Sequence, residues 1–168
     1  ETTRLKNLIG DLLKLSRLEK DDAALNKTNF DICELLSRVL LHRTGDLEAK
    51  KMDVECDFAP EPCMVNADES RIEQVAVNLL DNAIRAAADA LPPEVYVRIR
   101  KTQDEYLFSV RNRVQEDLLL EEGKLPGTTK KESGHGMGLA NVQDVLRKYG
   151  AEYTVSCRDR WFRFTCAI

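Results

Sequence analysis

The stretch Arg71-Ile-Glu-Gln-Val-Ala-Val-Asn-Leu-Leu-Asp-Asn-Ala-Ile-Arg85 constrains this chain more than any other part of it. Asp68 is placed to cap a helix running from Glu69 to about Ala90, and Pro92-Pro93 stop it. At 3.6 residues per turn, Asn78, Asn82 and Arg85 fall near one face of that helix. Asparagine is a mediocre helix former, so two of them in mid-helix require a reason. Either the face is merely solvated, or asparagine supplies a neutral oxygen to magnesium beside a phosphate-binding cation, a role the Arg85 guanidinium suits.

Around this helix the hydrophobic period switches between 3.6 and 2. Leu5, Leu8, Leu12 and Leu15, widened by Ile9, Leu13 and Leu18, describe one long amphipathic helix at the start, of the kind that seeks a coiled-coil or four-helix-bundle partner. Residues 21–30 are polar and read as a linker. Asp31 caps a helix through Ile32, Leu35, Leu36, Val39 and Leu40, weakened beyond by Gly45. Val54, Cys56 and Phe58 alternate, Pro60 and Pro62 break the run, and Cys63-Met64-Val65 resumes it, a pattern suggesting a hairpin.

After the central helix, Val95, Val97 and Ile99 and then Tyr106, Phe108 and Val110 mark two strands. Residues 115–133 are long and polar, as in a functional lid or a connector. A helix with Leu139, Val142, Val145, Leu146 and Tyr149 on one face follows, stopped by Gly150. Two strands joined at Arg158-Asp159-Arg160 close the chain. The order is that of an α+β domain, a mixed sheet with helices layered on one face, preceded by a long amphipathic helix.

The run Gly134-His135-Gly136-Met137-Gly138-Leu139 opens the last helix with alternate glycines. There, free backbone N–H groups and the helix dipole favour an anion, and glycine lets phosphate come close. The same run can also serve as a plain hinge. It matches neither the Walker pattern nor the dinucleotide fingerprint.

Taken together, the segments resemble the sensor histidine kinases of two-component systems. Residues 4–19 look like the end of the dimerisation hairpin, 71–85 like the N box, and 134–139 like the second glycine box, in the family's order and spacing. The resemblance implies a division into the second hairpin helix at 1–20, a linker at 21–30 and a catalytic ATP-binding domain at 31–168, with its lid at about 115–133. It makes Asn82 the magnesium ligand, with Asn78 near metal and phosphates and Arg85 the basic residue. Gly134, Gly136 and Gly138 shape the triphosphate end, with Met137 and Leu139 in the same box and Lys130 and His135 nearby. Gly127-Thr128-Thr129-Lys130 resembles the lid of one kinase subgroup. Such a domain would use ATP and magnesium to phosphorylate a histidine upstream of Glu1, for relay to the receiver domain of a response regulator. The full protein would form a homodimer through its hairpin.

The chain departs from the family after Phe108-Ser109-Val110, where the first glycine box, D-x-G-x-G, is replaced by Arg111-Asn112-Arg113-Val114. Asn112 can still accept a hydrogen bond from adenine, or it only caps a strand end. Related ATPases place a water-activating glutamate one turn before the magnesium asparagine. Asn78 holds that place here, and Glu73 and Asp81 lack the spacing, so phosphoryl transfer fits better than hydrolysis. Two other readings remain: an adaptor that docks a response regulator without using ATP, and a serine kinase of the anti-sigma type, which the leucine seam opposes.

Bulk properties narrow the partners. A net charge of -4 argues against sequence-independent nucleic-acid binding. No apolar run approaches the ~20 residues of a membrane span, and the start is no signal peptide, so the expectation is a cytoplasmic piece of something longer with no membrane contact of its own. The five cysteines show no C-x-x-C pair and read as buried thiols.

Overall fold

The computed structural model describes residues 24–121, 125–126 and 137–168. Their elements run β1 (Thr28–Asp31), α1 (Ile32–Leu41), α2 (Thr44–Ala49), β2 (Asp53–Asp57), β3 (Met64–Ala67), α3 (Glu69–Ala88), β4 (Glu94–Lys101), β5 (Tyr106–Arg113), α4 (Met137–Tyr149), β6 (Tyr153–Arg158) and β7 (Trp161–Ala167). A five-stranded sheet has the order β2-β4-β5-β7-β6, and β1 and β3 form a separate two-stranded sheet. Only β2 against β4 is parallel; the other pairs are antiparallel. The expected leading helix lies outside the described residues. No described helix is long and apolar enough to cross a membrane.

Helix α3 organises the interior. Ile72, Val75, Ala76, Leu79, Leu80, Ala83, Ile84 and Ala87 are buried, the three-and-four spacing of one helical face. They meet the inward residues of β4 (Val95, Val97, Ile99) and β5 (Phe108, Val110), while α1 adds Ile32, Leu35, Leu36 and Val39. Phe108 and Phe164 are the largest fully buried side chains. Each stabilises the fold by roughly 2–3 kcal/mol through the area it removes from water.

Three expectations from the sequence change. The hairpin between 54–58 and 63–65 does not form: β2 joins β4, and β3 joins β1 through pairs such as Phe30 with Val65. Alternation marks both segments as strands but carries no partner information, and the prolines between them let the chain leave one sheet for the other. The second change concerns the linker, whose last residues belong to β1. Phe30, only 9% exposed, anchors that strand to the core. The thiols also divide: Cys63 and Cys166 are buried, Cys33 and Cys157 half-buried, and Cys56, on the edge strand β2, is exposed. Burial alone pushes Cys166 up to about 12, and burial followed by contact with the Cys63 thiol pushes Cys33 up to about 12, so both stay protonated at neutral pH.

The turns are those the residues specify. Gly150 ends α4 at φ 61°, a conformation that costs glycine least. Asp159 and Arg160, at φ 54° and 59°, make the tight two-residue turn between β6 and β7, whose twist matches that of the strands.

Asp68 joins three segments. Its carboxylate accepts the Arg71 amide at 3.2 Å, the Ser70 hydroxyl at 2.8 Å and the Asn26 amide at 3.0 Å, tying residues before β1 to the start of α3. Burial pushes this carboxyl up, but the three donors outweigh it and hold it below the usual carboxylate range. A depressed folded pKa contributes stability above the unfolded value of about 4, and that contribution is lost as pH falls through the folded value. Asp68→Ala is expected to cost about 1–2 kcal/mol in urea denaturation at pH 7, and less at pH 3, below the unfolded value, where the carboxyl of the unfolded chain is largely protonated and part of the contribution is lost. Equal losses at both pH values would count against this carboxylate role.

Candidate functional site

The polar face of α3 is closed on one side by α4. Tyr149, at the end of α4, accepts the Asp68 amide through its hydroxyl at 2.7 Å, while Gly138, in the first turn of α4, faces Asn78 and Asn82. The two helices therefore run antiparallel, and the start of α4 opens beside the asparagines in the second half of α3. Burial raises the Tyr149 pKa, keeping it the neutral hydroxyl this bond needs.

At the crossing the fit is tight. A Cβ on Gly138 would lie 3.1 Å from Asn82 Nδ2 and 3.7 Å from Asn78 Oδ1. Glycine keeps this approach free of a contact to which the Asn82 amide would have to give way. Asn82 Nδ2 also donates to the Asn78 carbonyl at 2.8 Å, one turn earlier. With its amino group committed to the backbone, the oxygen of the Asn82 amide is the part left to accept or to ligate. The free N–H groups and positive dipole end of α4 lie beside it. Arg85 lies one turn further along the same stripe, exposed and without an ion pair among the described residues.

Asp81 is not available for chemistry. Arg43, beyond the end of α1, bonds its carboxylate at 2.7 Å and is itself held by the Val39 carbonyl at 2.8 Å. Sequence reasoning missed Arg43, since nothing local signals a contact across 38 residues. The ion pair removes the carboxylate adjoining Asn82, leaving a site dominated by neutral oxygens and N–H donors.

Asn112 stands on the helix-facing side of β5, between Val95 of β4 and Phe162 of β7, and is 2% exposed. Its Nδ2 donates to the Arg113 carbonyl at 2.9 Å. Just beyond, the Gln115 amide donates to the Asp89 carbonyl at 2.7 Å, joining the end of β5 to the end of α3. Asn112 thus sits at the same end of the domain as Asn82 and Arg85. Leu139 packs against the core. Lys130, Gly134, His135 and Gly136 lie outside the described residues, as do the Met137 side chain and most of the expected lid.

No group of three or more His, Cys, Asp or Glu able to hold a metal is found among the described residues.

Comparison with known proteins identifies the family. The model of the GHKL domain matches residues 69–168, and the chain belongs to that family, whose membership implies nucleotide binding. Among curated proteins it is similar to the alginate biosynthesis sensor protein KinB of Pseudomonas aeruginosa, at 24% identity over 159 residues covering 92% of this chain and 26% of the relative. The histidine kinase AdeS of Acinetobacter baumannii has the same fold, with a TM-score of 0.72 at 24% identity over 99% of this chain and 79% of that one. So has histidine kinase ThkA, solved in complex with response regulator protein TrrA, with a TM-score of 0.69 at 20% identity over 99% of this chain and 48% of that one. The chain spans 26% and 41% of the length of the first curated relatives it matches.

Gly138→Ala is expected to displace the Asn82 amide by a few tenths of an ångström and weaken nucleotide binding about tenfold, with stability lowered by about 1–2 kcal/mol. Calorimetric titration with ATP checks this; unchanged affinity would make the close approach irrelevant to the ligand. For Asn112, substitution by alanine should weaken ATP binding by about 1 kcal/mol or more, and Asn112→Asp should preserve or tighten it. An alanine variant with unchanged affinity would leave Asn112 as a strand-end cap.

Proposed function

We propose that this chain is the ATP-binding catalytic part of a sensor histidine kinase, passing the γ-phosphoryl group of ATP to a histidine on a dimerisation helix. The observation that carries the reading is the packing of Gly138 against Asn78 and Asn82, which sets a helix N-terminus beside two amides on a polar helix face. These groups fit magnesium-ATP: Asn82, supported by Asn78, would hold the ion. Magnesium, when bound, neutralises charge on the phosphate oxygens.

The protein's part is positioning. Arg85 and the amides at the start of α4 hold the phosphate tail, joined by Lys130 and His135 from the glycine box and lid. Asn112 accepts from the adenine amino group. Residues 115–133 close over the triphosphate and exclude water. The incoming imidazole nitrogen then forms a bond to the γ-phosphorus as the bond to the β,γ-bridging oxygen breaks and ADP leaves. With Asp81 held by Arg43 and an amide at position 78, no carboxylate stands one turn before Asn82 to activate water, which favours transfer over hydrolysis.

The phosphate would go next to a receiver-domain aspartate of a response regulator, a partner suggested by the ThkA–TrrA complex, and the full protein would dimerise through the hairpin ending in residues 1–20. We place the acceptor histidine upstream of Glu1: His42 is the C-terminal cap of α1, a helix of the catalytic domain and not of the hairpin.

ATP with magnesium should raise the melting temperature, a ligand at 100 times its dissociation constant adding about 2.7 kcal/mol, and Asn82→Ala should abolish the magnesium-dependent part. A melt unchanged by millimolar nucleotide would replace this reading with that of an adaptor that docks a response regulator without ATP. With labelled ATP, this chain alone should acquire no acid-labile label, whereas a chain extended through the upstream helix should. Label on the shorter chain that disappears in His42→Ala or His135→Ala would move the acceptor to that residue.

A further inference from the structure

The face of the large sheet turned away from the helices carries a charge pattern that the nucleotide site does not use. Strand register places Arg98 and Arg100 of β4, Arg111 and Arg113 of β5, Arg163 of β7 and Arg158 of β6 on this one face. Two of them are satisfied, Arg98 by Asp57 at 2.8 Å and Arg113 by Glu94 at 3.0 Å. The other four have no ion pair among the described residues. The acids of this face, Asp53, Glu55 and Asp57 of β2 and Glu94 of β4, lie at its β2 side, and the outward positions of β5, β6 and β7 hold none. In a chain of net charge -4, this concentrates cations against the overall sign.

At its centre the face is ordered. The Arg111 guanidinium lies 4.5 Å from the Tyr96 ring centre and 4.2 Å from that of Trp161, and Arg113 lies 4.1 Å from Trp161. Tyr96 and Trp161 meet edge to face at 5.3 Å. Contact with both rings holds the Arg111 guanidinium at this spot on the face, with its N–H groups as the donors it can offer a partner.

We propose that this sheet face docks an acidic protein segment, whose carboxylates are taken by Arg111 at the centre and by Arg100, Arg158 and Arg163 around it. A pre-ordered planar fork matches a carboxylate with two parallel bonds and loses little freedom on binding. Nucleic acid fits less well: bases stack on free aromatic faces, and guanidinium groups already cover these rings. Because the helices and the asparagine site lie on the other side of the sheet, docking here leaves nucleotide access open.

Anisotropy of a fluorescein-labelled deca-glutamate peptide titrated with the whole chain tests the proposal. The peptide is expected to bind saturably and to weaken with salt. Arg111→Gln should weaken it about tenfold, and Arg111→Lys nearly as much, because an ammonium keeps the charge but loses the stacked fork. The exposed pair Arg100→Glu with Arg163→Glu should abolish binding without moving the thermal midpoint, and Lys50→Glu, elsewhere on the surface, should change little. The proposal is overturned if the peptide does not bind or binds Arg111→Gln as well as wild type. Tighter binding of a deca-thymidine oligonucleotide or of phosphatidylserine vesicles than of the peptide would overturn it too.

Discussion

Helix α3 must satisfy two neighbours at once, and the arrangement of the domain follows from how it does so. Its apolar face is committed to the sheet, which leaves its polar face to α4 and to any ligand. Helix α4 meets that face through its first turn, where Gly138 lets it lie close to the asparagines. At the other end, Tyr149 and Asp68 fix the crossing from below through one hydrogen bond. The asparagines are thus displayed between two rigid supports, and none of the site residues that the structure describes stands on an unsupported loop. A site held this way needs little reorganisation to receive a ligand.

Most of this was legible in the sequence because the signals are local. The Asp68 cap, the helical period of α3, the Gly150 stop and the alternation in β4, β5 and β7 each follow from a few consecutive residues. The stripe of Asn78, Asn82 and Arg85 was equally readable, being a matter of helical pitch. What the sequence could not supply was partnership between distant segments. Alternation at 54–58 shows a strand but not that it lies parallel to β4, and four residues at 28–31 are too short to stand out from a polar linker. The Arg43 bond to Asp81 and the Gln115 bond to Asp89 are side-chain contacts of high sequence separation, which no periodicity records. Cys56 misled because an apolar-looking thiol on a strand suggests burial, whereas β2 is an edge.

Charge is arranged by face. The side that carries Asn78 and Asn82 presents amides, the first turn of α4 and Arg85, and there the Asp81 carboxylate is paired with Arg43. The opposite side of the sheet gathers arginine and aromatic rings. The two sets of charges face solvent on opposite sides of the sheet, and salt screens exposed charges more than about 10 Å apart at ordinary ionic strength.

The parallel register of β2 against β4 has a bearing on how the chain assembles. The β4–β5 and β6–β7 pairs close over short turns and can form early, as local contacts do. By contrast, β2 can find β4 only after the chain between them has returned through β3 and the whole of α3, a large loop whose closure entropy must be met before its ladder repays it. The β2 edge is therefore the natural last addition to the sheet during folding. It is also a region where an incompletely folded molecule would leave a backbone edge open to pairing with another chain.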